Sequence, residues 1–254
     1  MFPKSICRIV LLLWVWMSGT KSFGQQFNYA PNSIYYCQLQ GRYDSSLGAG
    51  LRRGSDTNGT EWQLAFSPVK HGAVMLNYFD GHHKAIRKQQ EEGSSSQSAE
   101  IGLGAYETLA HGTASLFIGY GQGSIFSNYS LSRSVALDLQ RWFIQPAMIF
   151  RNHNFEWGLA LRFNRLVYSH AEVDFSISES DLQPLQAIEA QSPFFIPEFG
   201  LHAGIVFKPC TLTIDMTSLF YDTNTFNFER LNSAFLLTVD LGFFYQRKKE
   251  PKAQ

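Results

Sequence analysis

The sequence has few charged residues, no excess of either charge sign and no apolar run long enough to form a membrane-spanning helix. Of 254 residues, 17% are charged, and 21 Lys and Arg balance 21 Asp and Glu. Proteins that bind nucleic acid usually carry an excess of basic residues. This chain has no such excess, so we expect no nucleic-acid partner. The longest apolar run, Ile9–Met17, falls well short of the ~20 residues of a transmembrane helix. If the protein spans a membrane, it must therefore do so with β-strands.

Cysteine is also scarce, with three in the whole chain. A lipoprotein anchor needs a cysteine directly after the apolar run, but Cys7 precedes that run, so we expect no lipid anchor. Cys37 and Cys210 would remain in an exported chain, where the compartment permits disulfides. The sequence leaves two alternatives open, which are a disulfide between them or two unpaired, small apolar residues.

The N-terminal residues predict export. Lys4 and Arg8 flank the start of the apolar run, and Ser22 and Gly24 stand at positions −3 and −1 to Gln25, as in a cleaved signal peptide. We therefore expect residues 1–24 to be the signal peptide. Residues 25–40 should form a periplasmic segment, residues 41–246 a single β-barrel domain and residues 247–254 a short charged tail.

Aromatic residues are abundant instead, and many of them alternate with polar ones. The chain contains 22 Phe, 11 Tyr and 5 Trp. In Phe155–Phe163 and in Phe235–Tyr245, every second residue is large and apolar, while Gly, Ala, Thr or charged residues fill most positions between. A period of two predicts strands with one apolar and one polar face. Lipid suits the first face and water suits the second.

The alternation recurs along the chain and predicts an all-β protein of about ten strands, within a range of roughly 8 to 12. The predicted strands are Tyr43–Arg52, Thr60–Ser67, Gly72–Asp80, Ala99–Glu107, Thr113–Ser124, Gln140–Phe150, Phe155–Phe163, Phe195–Phe207, Leu212–Thr217 and Phe235–Tyr245.

The predicted links between these strands alternate between short and long. The tight links are Pro68–His71, Thr108–Gly112, Arg151–Asn154 and Lys208–Cys210. The long links are Gly54–Gly59, Gly81–Ser98, Ile125–Leu139, His170–Pro193 and Thr223–Leu231. Greek-key connections of a β-sandwich need not alternate in this way. An antiparallel up-and-down transmembrane barrel has tight periplasmic turns and longer outer loops, so we expect this fold.

Charged residues fall on the face that would line the lumen of such a barrel. We predict a mutually satisfied polar network there, because buried charges must pair to offset their desolvation; an ion path is the alternative. The predicted network consists of Glu61, Glu100, Arg141, Glu156, Arg162, Glu198, His202, Asp215 and Asp240. Gly102, Gly104, Gly119, Gly121 and Gly123 alternate inside strands, where small inward residues would admit bulky neighbours or bend the strand.

Two other constellations could carry chemistry. Gly81-His82-His83-Lys84 lies in a predicted long loop, but adjacent histidines without further ligands at metal spacing are weak support for a site, so we expect no metal and no cofactor. A hydrolase would need a polar group at the outer rim, for which His170 with Asp174, or Tyr168 with Ser169, is the candidate. We expect no enzyme activity.

Distributed motifs resemble those of the small, porin-like outer-membrane β-barrel proteins common in Bacteroidetes-type bacteria. They are Tyr29-Ala30-Pro31-Asn32-Ser33, Glu61-Trp62-Gln63-Leu64-Ala65-Phe66, Phe143-Ile144-Gln145-Pro146, Arg162-Phe163-Asn164-Arg165-Leu166-Val167-Tyr168 and Phe195-Ile196-Pro197-Glu198. The resemblance spans nearly the whole predicted mature chain and implies a barrel in the cell outer membrane, but no substrate. The tail Gln246–Gln254 departs from it, because such chains more often end on an aromatic residue.

The function expected from the sequence is that of an outer-membrane barrel with a structural, binding or narrow transport role. Its partners would be outer-membrane lipid and, during biogenesis, the barrel-assembly machinery. Two alternatives stay open. One is a secreted soluble β-barrel that binds an apolar ligand, and the other is an outer-membrane hydrolase of envelope lipid or protein.

Overall fold

The computed structural model describes residues 29–54, 57–87, 90–130, 133–173, 187–220 and 228–242. They form one closed antiparallel barrel in which consecutive strands pair and β1 pairs with β10. The strands are β1 Ser45–Gly54, β2 Asn58–Val69, β3 Gly72–Arg87, β4 Gln90–Leu109, β5 Gly112–Ser130, β6 Arg133–Arg151, β7 Phe155–Val173, β8 Phe194–Phe207, β9 Cys210–Leu219 and β10 Leu231–Asp240. A short helix, α1, covers residues 187–191. No helix in the described ranges is long and apolar enough to span a bilayer.

The ten-stranded up-and-down fold confirms the prediction from the sequence. Each predicted strand overlaps one observed strand, because alternating apolar and polar residues suit a sheet whose two faces meet different surroundings. The four tight links are also confirmed, with turns at residues 70–71, 110–111, 152–154 and 208–209. These turns define one end of the barrel, here called the turn end. The opposite end is called the link end.

Many large apolar side chains of the strands point outward, whereas the charged side chains near the middle of the strands point inward, together with apolar residues that form buried clusters. On β7, the five large apolar side chains from Phe155 to Phe163 are 40 to 51% exposed, whereas Glu156 and Arg162 are buried. Outward residues continue as rows across the strands, as where Met148 and Leu201 flank Leu159. This distribution is the reverse of that in a soluble barrel, whose apolar face points inward.

The links at the link end differ from the prediction. Gly81–Ser98 and Ile125–Leu139 were expected to be long loops, but β3 pairs with β4 out to Arg87 and Gln90, and β5 pairs with β6 out to Ser130 and Arg133. In the β3–β4 hairpin, polar residues replace the apolar alternation and the ladder of backbone hydrogen bonds continues without it. In the β5–β6 hairpin, Ile125, Val135 and Leu137 point inward and are buried, so apolar alternation persists there on the inner face. Of the remaining links, residues 55–56, 174–186 and 221–227 lie outside the described ranges.

Residues 29–40, here called the plug, run inside the barrel along its length. Tyr29 lies at the link end, where its backbone oxygen accepts a hydrogen bond from Glu229 N at 2.9 Å. Leu39 lies at the turn end beside Pro209, and a turn at residues 41–44 leads into β1. The sequence predicted a periplasmic segment at residues 25–40; of these, residues 29–40 lie inside the barrel. A ten-stranded barrel is wider than the eight-stranded one that side chains alone can fill.

Candidate functional site: the occupied lumen

The plug is extended, and its side chains alternate between two sides of the lumen. Tyr35, Cys37 and Leu39 pack into a buried apolar cluster with residues of β2 to β6. Ile34 and Tyr36 pack on the other side against β6 and β7. The plug therefore has the side-chain periodicity of a strand, although its contacts with the barrel wall are made largely by side chains.

Inward glycines of β4 and β5 make room for this packing. A Cβ atom on Gly119 would lie 2.1 Å from the Phe143 ring, and one on Gly102 would lie 2.9 Å from the side chain of Met75. Phe143 and Met75 belong to the cluster that receives Tyr35. The prediction that inward glycines admit bulky neighbours is confirmed at these positions.

Four predicted network residues meet in one cluster toward the link end, here called the upper cluster. Its members are Glu100, Arg141, Arg162 and Glu198, all at most 4% exposed. Arg162 Nε donates to Glu198 Oε2 at 2.5 Å, and Arg141 forms an ion pair with Glu100.

The register explains how the second of these pairs forms across an intervening strand. Gly121 of β5 stands between Glu100 of β4 and Arg141 of β6. A Cβ atom on Gly121 would lie 2.9 Å from Glu100 Cγ. Because glycine has no side chain, the guanidinium can reach across β5 to the carboxylate.

The plug contributes neutral hydrogen-bonding groups to the upper cluster. Tyr29 donates its hydroxyl hydrogen to Glu198 at 2.6 Å and accepts from Arg141 Nη1 at 2.6 Å. Asn32 Nδ2 donates to Glu100 at 3.0 Å, and Asn32 Oδ1 accepts from Arg141 at 2.8 Å. Tyr29 and Asn32 thus satisfy lone pairs and donors that the wall residues leave open.

Glu61 depends on the plug most directly. Its carboxylate accepts hydrogen bonds from the backbone N and the hydroxyl of Ser33, each at 2.9 Å. Within the wall, Gln63 approaches it at 3.4 Å. Since Glu61 is fully buried, removal of Ser33 would leave a buried carboxylate with few donors.

A second group, the lower cluster, lies around Tyr36 and the end of the plug. Glu156 accepts from Arg151 Nη2 at 2.6 Å and from Gln38 Nε2 at 2.6 Å. His202 places Nε2 3.0 Å from Glu156 and Nδ1 2.5 Å from Asp215. The Tyr36 ring lies over the imidazole, with ring centroids 4.6 Å apart.

Asp240 is the predicted network residue that lies apart from these clusters. It is half-buried at the turn end, where its carboxylate neighbours that of Asp44, just before β1. Burial, reinforced by the charge of Asp240, raises the pKa of Asp44 above its ordinary value.

The sequence analysis missed one buried ion pair, between Arg52 and Glu229. Arg52 Nη2 donates to Glu229 Oε2 at 2.9 Å, the Thr57 hydroxyl donates to the same oxygen at 2.7 Å, and the guanidinium lies over the Phe79 ring at 4.2 Å. Strand alternation places Arg52 on the inward face of β1 and could have identified it. Glu229 lies in a link, where no periodicity signals burial.

The two cysteines that could have paired are free thiols. Cys37 is buried in the apolar cluster on the side of β2 to β6. Cys210 is partly exposed at the start of β9, which pairs with β8 and β10. The plug directs Cys37 away from β9, which accounts for the absence of a disulfide.

Of the two candidate hydrolase groups, the structure describes Tyr168 with Ser169 and places the two side chains on opposite faces of β7. Tyr168 is buried in the interior, whereas Ser169, on the other face of β7, is half-exposed. The His170 side chain and Asp174 lie outside the described residues. Within the described ranges, no three His, Cys, Asp or Glu side chains form a group that could hold a metal ion.

The space that remains beside the plug is small. The cavities bordering Tyr29, Tyr36 and Leu39 have volumes of about 20, 10 and 20 Å³, and each would hold about one water. The arrangement can therefore hold the plug in register and pair internal charges, and these three cavities beside the plug are no larger than a water molecule.

Comparison with known proteins gives no relative from which a role could be transferred. No protein-family model matches the chain, and no curated protein matches it in sequence.

Proposed function

We propose that this protein is an outer-membrane β-barrel that its own plug keeps closed, with a structural or binding role. The observation that carries the proposal is the inversion of polarity, with apolar and aromatic residues outside and paired charges inside. Water disfavours such an outer surface, whereas hydrocarbon favours it.

The dimensions of the outer apolar band support a membrane location. On β7 the band runs from Phe155 to Phe163, close to the 9–11 residues with which a tilted strand spans a bilayer. Aromatic pairs mark both borders of the band. Tyr120 and Trp142 lie toward the link end, with centroids 4.6 Å apart, and Phe150 and Trp157 lie toward the turn end, 4.4 Å apart. Aromatic girdles at both interfaces are typical of such barrels.

The occupied lumen favours this role over the alternatives. A soluble barrel that stores an apolar ligand needs an apolar cavity, but here charged residues and the plug occupy the interior. A transport role would require the plug to move, at the cost of its contacts with Glu61, Glu100 and Glu198. The proposal includes no catalysis, cofactor or nucleic-acid partner. It includes export by residues 1–24 and insertion by the barrel-assembly machinery.

Cell fractionation combined with gel mobility tests the membrane location. We expect the protein in the outer-membrane fraction and expect unboiled and boiled samples in detergent to migrate differently, because a closed barrel has no free edge at which to unfold. Recovery in a soluble fraction without detergent, with identical mobility in both states, would support the soluble barrel instead.

Bilayer conductance tests the closed lumen. We expect refolded protein to produce no regular single-channel steps, because the plug leaves room for about one water in each cavity that borders it. Reproducible conductance steps from folded, heat-modifiable protein would show that the plug leaves the lumen and would support narrow transport.

A further inference from the structure

The outer wall carries an apolar groove across β5 to β8. Its volume is about 470 Å³, within the roughly 300–1,000 Å³ of small-molecule sites. The side chains that line it include Ile118, Trp142, Ile144, Phe163, Phe195 and Pro197. Five of these, Ile118, Trp142, Ile144, Phe163 and Phe195, are 48 to 69% exposed, so the groove opens on the surface that we propose to face lipid.

Local breaks in the wall account for the groove. The pairing of β6 with β7 is interrupted between two residue pairs, Ile144 with Phe163 and Ala147 with Ala160. Pro146 lies in the interruption, where it cannot donate a backbone hydrogen bond. The Trp142 ring packs against Tyr120 of β5, which turns it away from β8. The groove is thus a product of this sequence and not of barrel geometry in general.

A cation stands at the end of the groove nearer the link end. Arg165 faces outward from β7, is exposed, and lies in register between Trp142 and Phe195. It forms no ion pair with the residues that the structure describes. An exposed cation at the level of an aromatic girdle can meet an anionic headgroup while the groove below it stays in hydrocarbon.

We propose that the groove binds one acyl chain of a phosphorylated lipid of the outer leaflet, of the lipid A class, and that Arg165 binds its phosphate. The inference rests on the proposed membrane location and on the orientation typical of such barrels, in which the tight turns face the periplasm. Guanidinium and phosphate match in charge and in hydrogen-bond geometry, and the groove offers the chain a fixed apolar surface.

Native mass spectrometry of the full protein in a nonionic detergent, with added bis-phosphorylated lipid A, tests the proposal. We expect one retained lipid per barrel and a drop on the order of tenfold in apparent affinity for Arg165→Gln. Filling the groove by Ile144→Trp should also reduce retention. Arg53→Gln is the matched control, because Arg53 is an exposed arginine near the link end of β1, five strands away from β6 in the barrel order.

Dephosphorylated lipid A and phosphatidylglycerol complete the comparison, and both should be retained more weakly than lipid A. Equal retention of lipid A by wild type and Arg165→Gln, or equal retention of phosphatidylglycerol by wild type, would overturn the proposal. Heat-modifiable mobility of every variant shows that it is folded. A protein that fails this mobility test and fractionates as soluble contradicts the membrane proposal, whereas a folded membrane barrel without lipid preference contradicts this inference alone.

Discussion

At the scale of single residues, Asn32 joins the plug to charges from three strands. Its side chain bonds to Glu100 and Arg141, and its backbone oxygen accepts from Arg162 Nη2 at 3.0 Å. Each of these contacts involves a charged group that is buried. Removing a neutral partner from such groups costs more than the loss of an exposed hydrogen bond, because the charges stay buried.

We therefore expect Asn32→Leu to lower the free energy of unfolding by about 3 kcal/mol, as measured by urea titration of the protein folded in lipid vesicles. Gln40→Leu is the control, because the Gln40 side chain is exposed at the turn end of the plug. Equal stabilities of the two variants would contradict the placement of Asn32 among the lumen charges.

A second prediction concerns the outer face of β7. Leu159 lies at the middle of the apolar band, between Met148 and Leu201. Leu159→Arg would place a cation in hydrocarbon and should cost about 2–4 kcal/mol, whereas a cation near the interface costs about 0–1 kcal/mol. Ser169→Arg, on the same strand beyond the band, provides the matched comparison. The same vesicle titration measures both, and a larger loss for Ser169→Arg would show that the band is misplaced.

At the scale of elements, the inward glycines of β4 and β5 allow the wall to pack closely against its contents. Gly119→Ala would bring a Cβ atom to 2.1 Å from Phe143 and 2.6 Å from the backbone oxygen of Ile101. Since that oxygen belongs to the β4 backbone, rotation of the Phe143 ring alone cannot relieve the overlap. Packing of the plug against this side of the lumen should therefore loosen.

We expect Gly119→Ala to lower the temperature at which the unboiled gel mobility is lost, by about 5 °C or more. Gly41→Ala is the control, because a Cβ atom on Gly41 would have no neighbour within 4 Å. An unchanged transition temperature for Gly119→Ala would mean that the cluster around Phe143 is looser than the structure indicates.

The elements also differ in how far the sequence predicts them. Within the apolar band, strand bounds follow from alternation, as in β7 from Phe155 onward. Beyond the band, β4 begins at Gln90, although Gln, Glu, Gly and Ser occupy its first positions. Backbone pairing with β3 maintains that part of the strand. Backbone pairing does not require alternating apolar residues, so the sequence carries no period of two there.

At the scale of the whole molecule, the direction of the plug determines the side on which the chain enters the barrel. Tyr29 contacts Phe228 in the link between β9 and β10, so the plug starts at the link end and runs toward the turn end. In outer-membrane barrels the longer connections lie outside the cell and the tight turns face the periplasm. The plug would then start on the outer side.

We expect an epitope inserted directly ahead of Tyr29 to bind antibody on intact cells. The matched epitope at the turn of Ala110 and His111 should bind only after the outer membrane is permeabilised. The reverse pattern, measured by flow cytometry with equal expression on immunoblots, would show that the barrel has the opposite orientation.

The sequence by itself determined the ten strands, their order and the two faces of each. These features depend on residues that are close together in the chain and on the alternation of apolar and polar residues, so they can be predicted from the sequence. It also identified eight buried lumen residues from Glu61 to Asp215, because the face of a strand position follows from its parity.

Only the tertiary structure decided what those residues contact. Arg162 pairs with Glu198 through the register of β7 and β8, and Glu61 is satisfied by Ser33, which is distant from β2 in the chain. The plug itself lacks a partner strand along most of its length, so no pairing rule could place it. Its position follows from the width of a closed ten-stranded barrel and from interior charges that need hydrogen-bond partners, and both conditions arise only once the barrel has closed.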